Sequence, residues 1–185
     1  MRLNIPTVLT VARIIAIPLL VAVYYLPLSL AVQNVAATTI FVVAALTDWL
    51  DGYLARRLGE STAFGAFLDP VADKLLVAAA LVMLVQLGRA DALIALVIVG
   101  REITISALRE WMAQLGQPSS VAVHKLGKFK TAAQLVAIPM LLYDDRLLGI
   151  DCTWVGTWLI WAATILTIWS MLYYLRCAWP TIKSS

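Results

Sequence analysis

Asp48, Asp51, Asp69 and Asp73 fall within 26 positions of one another, between long apolar runs. Asp48 and Asp51 are three apart, and Asp69 and Asp73 four apart. On helices each pair therefore shares a face, with about one turn between its members. Two such pairs on consecutive antiparallel helices converge on one point. Four carboxylates in a low-dielectric pocket repel one another strongly unless a cation joins them. Their hard, anionic oxygens suit Mg²⁺ or Mn²⁺. Four acids suffice to hold two such ions and leave room for phosphate oxygens. Gly52 and Gly65 lie beside the acid pairs, where small residues let helices and a ligand come close. Arg56 has the planar fork that grips a phosphate bidentately. A single acid near a helix end is usually solvated or paired, here with Arg56, Arg57 or Lys74. Four acids at helical spacing, partly inside apolar segments, are too costly to be incidental. The spacing thus points to a two-metal site handling a phosphorylated substrate from the lipid phase, and names no reaction.

The elements that must carry these acids are apolar helices. The 185 residues are 62% hydrophobic and 14% charged, against roughly 45–50% apolar and 25% charged for a soluble domain. Membrane spans are expected near 7–27, 34–57, 66–88, 91–114, 129–144 and 153–177, separated by turn-forming clusters such as Gly88-Arg89-Ala90-Asp91. One polytopic, all-α membrane domain over 1–185 is the economical organisation. The runs are too long and continuous for strands. Arg13 interrupts the first run and no A-x-A-like site ends it, so a cleavable signal is not expected. Cys152 and Cys177 lack metal-type spacing and are expected as isolated small residues, with a disulfide left open. The Trp residues at 154, 158, 161 and 169 suit packing and interfacial anchoring.

Charge sets the orientation. In a six-span arrangement Arg2, Arg56, Arg57, Lys125, Lys128, Lys130, Arg176 and Lys183 fall on one side. Only Arg89 and Arg146 fall on the other. The positive-inside rule puts the first side, with both termini, in the cytoplasm. The acid stretch and the Lys125–Lys130 cluster then share one face. Lys128 and Lys130, with Arg101 and Arg109 inside the fourth span, are candidates to clamp a phosphate on a second substrate; Lys125 and Arg176 are weaker ones. The competing readings are an ordinary basic loop touching anionic head groups, and neutralisation of the arginines by Glu102 or Glu110. His124, in the basic loop, has no assigned role.

The stretch Asp48-x-x-Asp51-Gly52-x-x-Ala55-Arg56, followed after eight residues by Gly65-x-x-x-Asp69-x-x-x-Asp73, resembles the complete signature of the CDP-alcohol phosphotransferase family. All eight signature residues and every spacing are met. Asn4-Ile5-Pro6-Thr7-Val8-Leu9-Thr10-x-x-Arg13 resembles the opening of the bacterial branch that forms phosphatidylglycerophosphate. So do Arg101-Glu102, Ser106-Ala107-Leu108-Arg109-Glu110-Trp111 and Lys128-Phe129-Lys130-Thr131. The resemblance implies six transmembrane helices, typically as a homodimer in the bacterial inner membrane, and no nucleic-acid partner. It implies transfer of a phosphatidyl group from CDP-diacylglycerol to sn-glycerol 3-phosphate, releasing CMP. By the same resemblance Asp48, Asp51, Asp69 and Asp73 would hold two Mg²⁺ or Mn²⁺ ions, and Asp73 would also be the general base. Pro6, Thr7, Val8, Leu9, Gly52, Arg56, Thr62 and Gly65 would line the CDP-lipid. Thr7 stands where many relatives have Asn.

Rival readings are a different acceptor (serine, inositol phosphate or phosphatidylglycerol), a prenyl-diphosphate transferase, and a cation transporter using the four acids. The compact continuation from Gly65 to Asp73 disfavours the prenyl-transfer reading. The phosphate chemistry of Gly52 and Arg56 disfavours transport, and the paired lysines favour a phosphorylated acceptor.

Overall fold

The computed structural model describes residues 5–58, 63–114 and 124–184. Six long helices run through them: α1 (Ile5–Ala22), α2 (Leu30–Leu58), α3 (Ala63–Gln86), α4 (Ala92–Gln114), α5 (His124–Tyr143) and α6 (Cys152–Ser184). A 3₁₀ turn at Val23–Tyr25 ends α1 earlier than the apolar run does. Three segments are long and apolar enough to cross a membrane, namely Val8–Tyr25, Leu30–Asp48 and Cys152–Arg176. The other helices carry charge along their length: Asp69, Asp73 and Lys74 on α3, Arg101, Glu102, Arg109 and Glu110 on α4, and basic residues at the start of α5.

The helix ends have local causes. After α3, Gly88 adopts φ 70°, and the Arg89 amide reaches back to the Leu84 carbonyl at 2.8 Å while that of Gly88 reaches Val85 at 3.0 Å. This pattern closes a helix on a left-handed residue. Asp91 Oδ1 accepts the Leu93 amide at 2.7 Å at the start of α4, and Asp151 Oδ1 accepts that of Trp154 at 3.0 Å at the start of α6. Each satisfies a donor that the first turn cannot pair internally. The Arg89 guanidinium donates to the last carbonyls of α5, Leu142 O at 2.9 Å and Leu141 O at 3.3 Å, and pairs with Asp144 at 2.9 Å.

Two expectations are corrected. Strands were not expected, yet β1 (Arg146–Leu147) and β2 (Ile150–Asp151) form a two-rung antiparallel hairpin between α5 and α6. Leu148 and Gly149 turn it with φ 52° and 84°, the geometry of a tight hairpin whose central residues are both left-handed. The fifth helix starts at His124 rather than near 129, so Lys125, Lys128 and Lys130 lie on helix and not in a loop. Helix continues after hydropathy falls, because hydrogen bonding along the backbone does not require apolar side chains.

Leu20, Phe41, Leu76, Leu81, Leu84, Ile98, Ile138, Leu141 and Ile160 bring all six helices into one buried cluster. α1 packs against both α2 and α3 more extensively than those two pack against each other. α5 and α6 form the closest pair, meeting at Gly156, where a Cβ would lie 2.9 Å from Leu141 Cγ. Large apolar side chains such as Leu19, Val43, Leu96, Ile165 and Leu172 remain outward-facing. Trp154, Trp158, Trp161 and Trp169 are exposed with them, and the first two meet edge-to-face at 6.2 Å. An apolar exterior of this extent matches a hydrocarbon solvent.

Candidate active site

The acid stretch occupies the end of α2 and the start of α3, as its spacing requires. Asp48 lies on α2, and Asp69 and Asp73 lie on α3, with Pro70 between them. Asp48 Oδ1 pairs with Arg13 Nη1 at 2.5 Å. Asp69 Oδ1 accepts a hydrogen bond from Thr10 Oγ1, also at 2.5 Å. Asp73 is exposed at this end of the bundle, within electrostatic reach of Asp48, Arg13, Glu102 and Lys74. Asp51, Gly52 and Arg56 follow on α2, but their side chains lie outside the described residues, and Thr62 lies wholly outside them. Gly65 is buried in the first turn of α3.

A second cluster joins α4, α5 and α6. Glu102 Oε1 accepts from both Lys130 Nζ and Arg101 Nη1, the latter at 3.0 Å. Arg101 also donates to Ser170 Oγ at 3.2 Å and lies over the Tyr174 ring, 5.9 Å from its centroid. Lys130 and Arg101 are both buried. Lys74, next to Asp73, donates to Ser106 Oγ on α4. A cavity of about 80 Å³ between α3 and α4 is lined by both Lys74 and Glu102. The two clusters therefore adjoin, one acidic and one net basic.

Among the expected acceptor residues, the structure brings Arg101 and Lys130 together. Arg109 and Lys128 lie on α4 and α5, with side chains outside the described residues. Glu102 does neutralise Arg101, as one reading anticipated, and it holds Lys130 as well. At the N-terminal end, Pro6 and Thr7 are on α1 with side chains outside the described residues; Val8 is exposed and Leu9 half-buried. The contributions of Thr10 and Arg13 were missed. The available signal was an arginine within an 18-residue apolar segment, since an ionised group at that depth needs a partner.

The donor set fits a hard divalent cation in chemistry: α2 and α3 both offer carboxylate oxygens, with no thiol or imidazole among them. Among the described residues, no three acidic, His or Cys side chains are grouped closely enough to enclose an ion. Asp51, the fourth acid of the signature, has no described side chain.

Comparison with known proteins places this arrangement. Residues 3–169 match the CDP-alcohol phosphatidyltransferase family. A protein of Shigella flexneri serotype 5b named CDP-diacylglycerol–glycerol-3-phosphate 3-phosphatidyltransferase is 53% identical over 180 residues, covering 96% of each chain. Proteins of the same name from Salmonella choleraesuis and Escherichia coli K12 are 52% identical over the same share of both chains. Helices, acid signature and full-length similarity agree, and the chain belongs to the CDP-alcohol phosphatidyltransferase family.

Proposed function

We propose that this protein transfers the phosphatidyl group of CDP-diacylglycerol to sn-glycerol 3-phosphate, giving phosphatidylglycerophosphate and CMP. The observation that carries this reading is the 52–53% identity, over 96% of both chains, to relatives bearing the name of that reaction. The local chemistry agrees with it. Acids for a cation-assisted diphosphate adjoin a buried Arg101–Lys130 pair suited to the phosphate of the acceptor.

The reaction is a substitution at the lipid-side phosphorus. The acceptor hydroxyl oxygen forms a bond to that phosphorus, the bond to the CMP oxygen breaks, and CMP leaves with the electron pair. Asp73 takes the hydroxyl proton. Its exposed position among Asp48, Arg13, Glu102 and Lys74 puts it between the acid cluster and the basic one. Proximity and alignment provide most of what a carboxylate base needs here. Asp48, Asp51, Asp69 and Asp73 would hold two Mg²⁺ or Mn²⁺ ions, whose charge would offset that of the diphosphate. Arg56, Gly52, Gly65, Thr62 and the Pro6–Leu9 segment border the CDP-lipid. Arg101, Arg109, Lys128 and Lys130 hold the acceptor phosphate.

The chain is read as one membrane domain crossing the bilayer six times, with termini and site on the cytoplasmic side of a bacterial inner membrane, working as a homodimer. Charge asymmetry supports the orientation, and family likeness supports the dimer.

The test is direct. Purified protein is incubated with CDP-diacylglycerol, Mg²⁺ and each acceptor in turn, and the lipid product is identified by mass spectrometry. Phosphatidylglycerophosphate from glycerol 3-phosphate is expected. Product from serine, inositol phosphate or phosphatidylglycerol instead overturns the acceptor, and metal flux without CDP-lipid turnover overturns the enzyme reading.

A further inference from the structure

The two acid-bearing helices are not braced chiefly by each other. α1 packs more extensively on both, and it places two polar side chains on their acids. Thr10 and Arg13 are three residues apart and so share a face of α1. Thr10 is 1% exposed and donates to Asp69 on α3; Arg13 is 1% exposed and pairs with Asp48 on α2. The Thr10 contact is a hydrogen bond and the Arg13 contact an ion pair; each engages one carboxylate oxygen, Oδ1 in both cases. A carboxylate held at one oxygen has fewer orientations open to the other.

We propose that Thr10 and Arg13 are positioning residues that aim the Asp48 and Asp69 carboxylates at a divalent cation. The inference rests on the acid-site reading above. Partners that hydrogen-bond a metal-ligating carboxylate orient it, and losing one typically weakens metal binding by about 10–100-fold. An arginine is suited to the task at Asp48, because its fork is planar and its charge permanent. A hydroxyl suits Asp69, where a second cation would compete with the ion for the carboxylate.

The experiment is a Mn²⁺ titration of the full-length protein in detergent, followed by electron paramagnetic resonance of free Mn²⁺, alongside thermal unfolding. Thr10→Val is nearly isosteric and Arg13→Gln keeps hydrogen-bonding capacity without charge. Each is expected to weaken Mn²⁺ binding by about 10–100-fold, while Thr10→Ser, which retains the hydroxyl, stays within about threefold of wild type. If Arg13→Gln fails to fold, Thr10→Val and Thr10→Ser still decide the question. Mn²⁺ affinity unchanged in Thr10→Val, with only a lower melting temperature, overturns the proposal and leaves these residues as helix-packing groups. An Asp48→Asn control separates the two levels. If Asp48→Asn binds Mn²⁺ like wild type, the acid-site reading falls and this proposal falls with it. If Asp48→Asn loses binding while Thr10→Val does not, only this proposal falls.

Discussion

Glu102 is the most informative place to perturb the fold. It accepts from two buried cations on one oxygen, and its side chain is 26% exposed, against 2% for Lys130 and 7% for Arg101. Glu102→Ala therefore leaves two positive charges facing each other without their shared anion. Removing one partner of a buried ion pair costs about 3–5 kcal/mol, because the remaining charge is uncompensated. Two features pull the value below this range. Glu102 is a quarter exposed rather than fully buried, and Arg101 keeps Ser170 and the face of Tyr174, the latter worth about 0.5–2 kcal/mol. A loss of about 2–3 kcal/mol is expected. For a chain of this size that corresponds to a fall of about 5–10 °C in melting temperature, read by thermal unfolding in detergent. Removing both charges of a pair is far milder than removing one, so Glu102→Leu combined with Lys130→Met should recover at least about half of the loss. A Glu102→Ala protein melting within about 2 °C of wild type, less than 1 kcal/mol at this chain length, would refute the reasoning. So would a double variant less stable than the sum of its single changes.

Four further outcomes follow from the structure. Gly156→Val forces a branched side chain against Leu141 Cγ and the Ala137 carbonyl, 2.9 and 3.3 Å from the Cβ position; a loss of about 1–3 kcal/mol from overpacking is expected in thermal unfolding. Gly100→Ala, with nothing within 4 Å of its Cβ position, should instead stabilise by about 0.5–1 kcal/mol, and destabilisation there would contradict the open setting. Arg89→Met strips the bonds to Leu141 O, Leu142 O and Asp144; a cost of about 1.5–3 kcal/mol, with faster proteolysis at the β1–β2 hairpin, is the expected result. Asp73→Asn should lower kcat by about 10²–10⁴ in a CMP-release assay, the usual loss for a general base, with the melting temperature retained. Near-normal turnover would remove Asp73 from that role.

The helices were legible because the apolar runs are continuous and bounded by turn-forming clusters. What hydropathy marks, however, is the lipid-facing length and not the hydrogen-bonded length. The starts of α2 and α5 and the end of α6 were accordingly placed short, and the basic residues before Phe129 passed for loop. The β1–β2 hairpin was invisible for a related reason: two-residue strands have no periodicity, and Leu148 gives no hint that it accepts φ 52°. In the candidate site, Asp48, Asp69 and Asp73 stand out by helical spacing, and the structure places them on α2 and α3. Arg101 was found from its depth in an apolar segment. The same argument applies to Arg13, which the sequence marks as an interruption of the apolar run and as part of the N-terminal motif, without naming Asp48 as its partner. Glu102 was weighed as a neutraliser of arginine. Its bond to Lys130 joins residues 28 apart on different helices, and nothing in local spacing announces such a pair.

Arg13 also has a consequence for how the protein is made. The ribosome delivers α1 before Asp48 exists, and an arginine at the centre of a membrane-crossing helix would cost about 2.5–3.5 kcal/mol at insertion. The strongly apolar Val8–Tyr25 segment, with mean hydropathy 2.1, offsets that cost while the guanidinium waits. Its partner arrives 35 residues later in α2, and the acceptor for Thr10 only with α3. Along the chain, α1 thus carries two polar side chains whose partners are supplied only by later helices, first α2 and then α3.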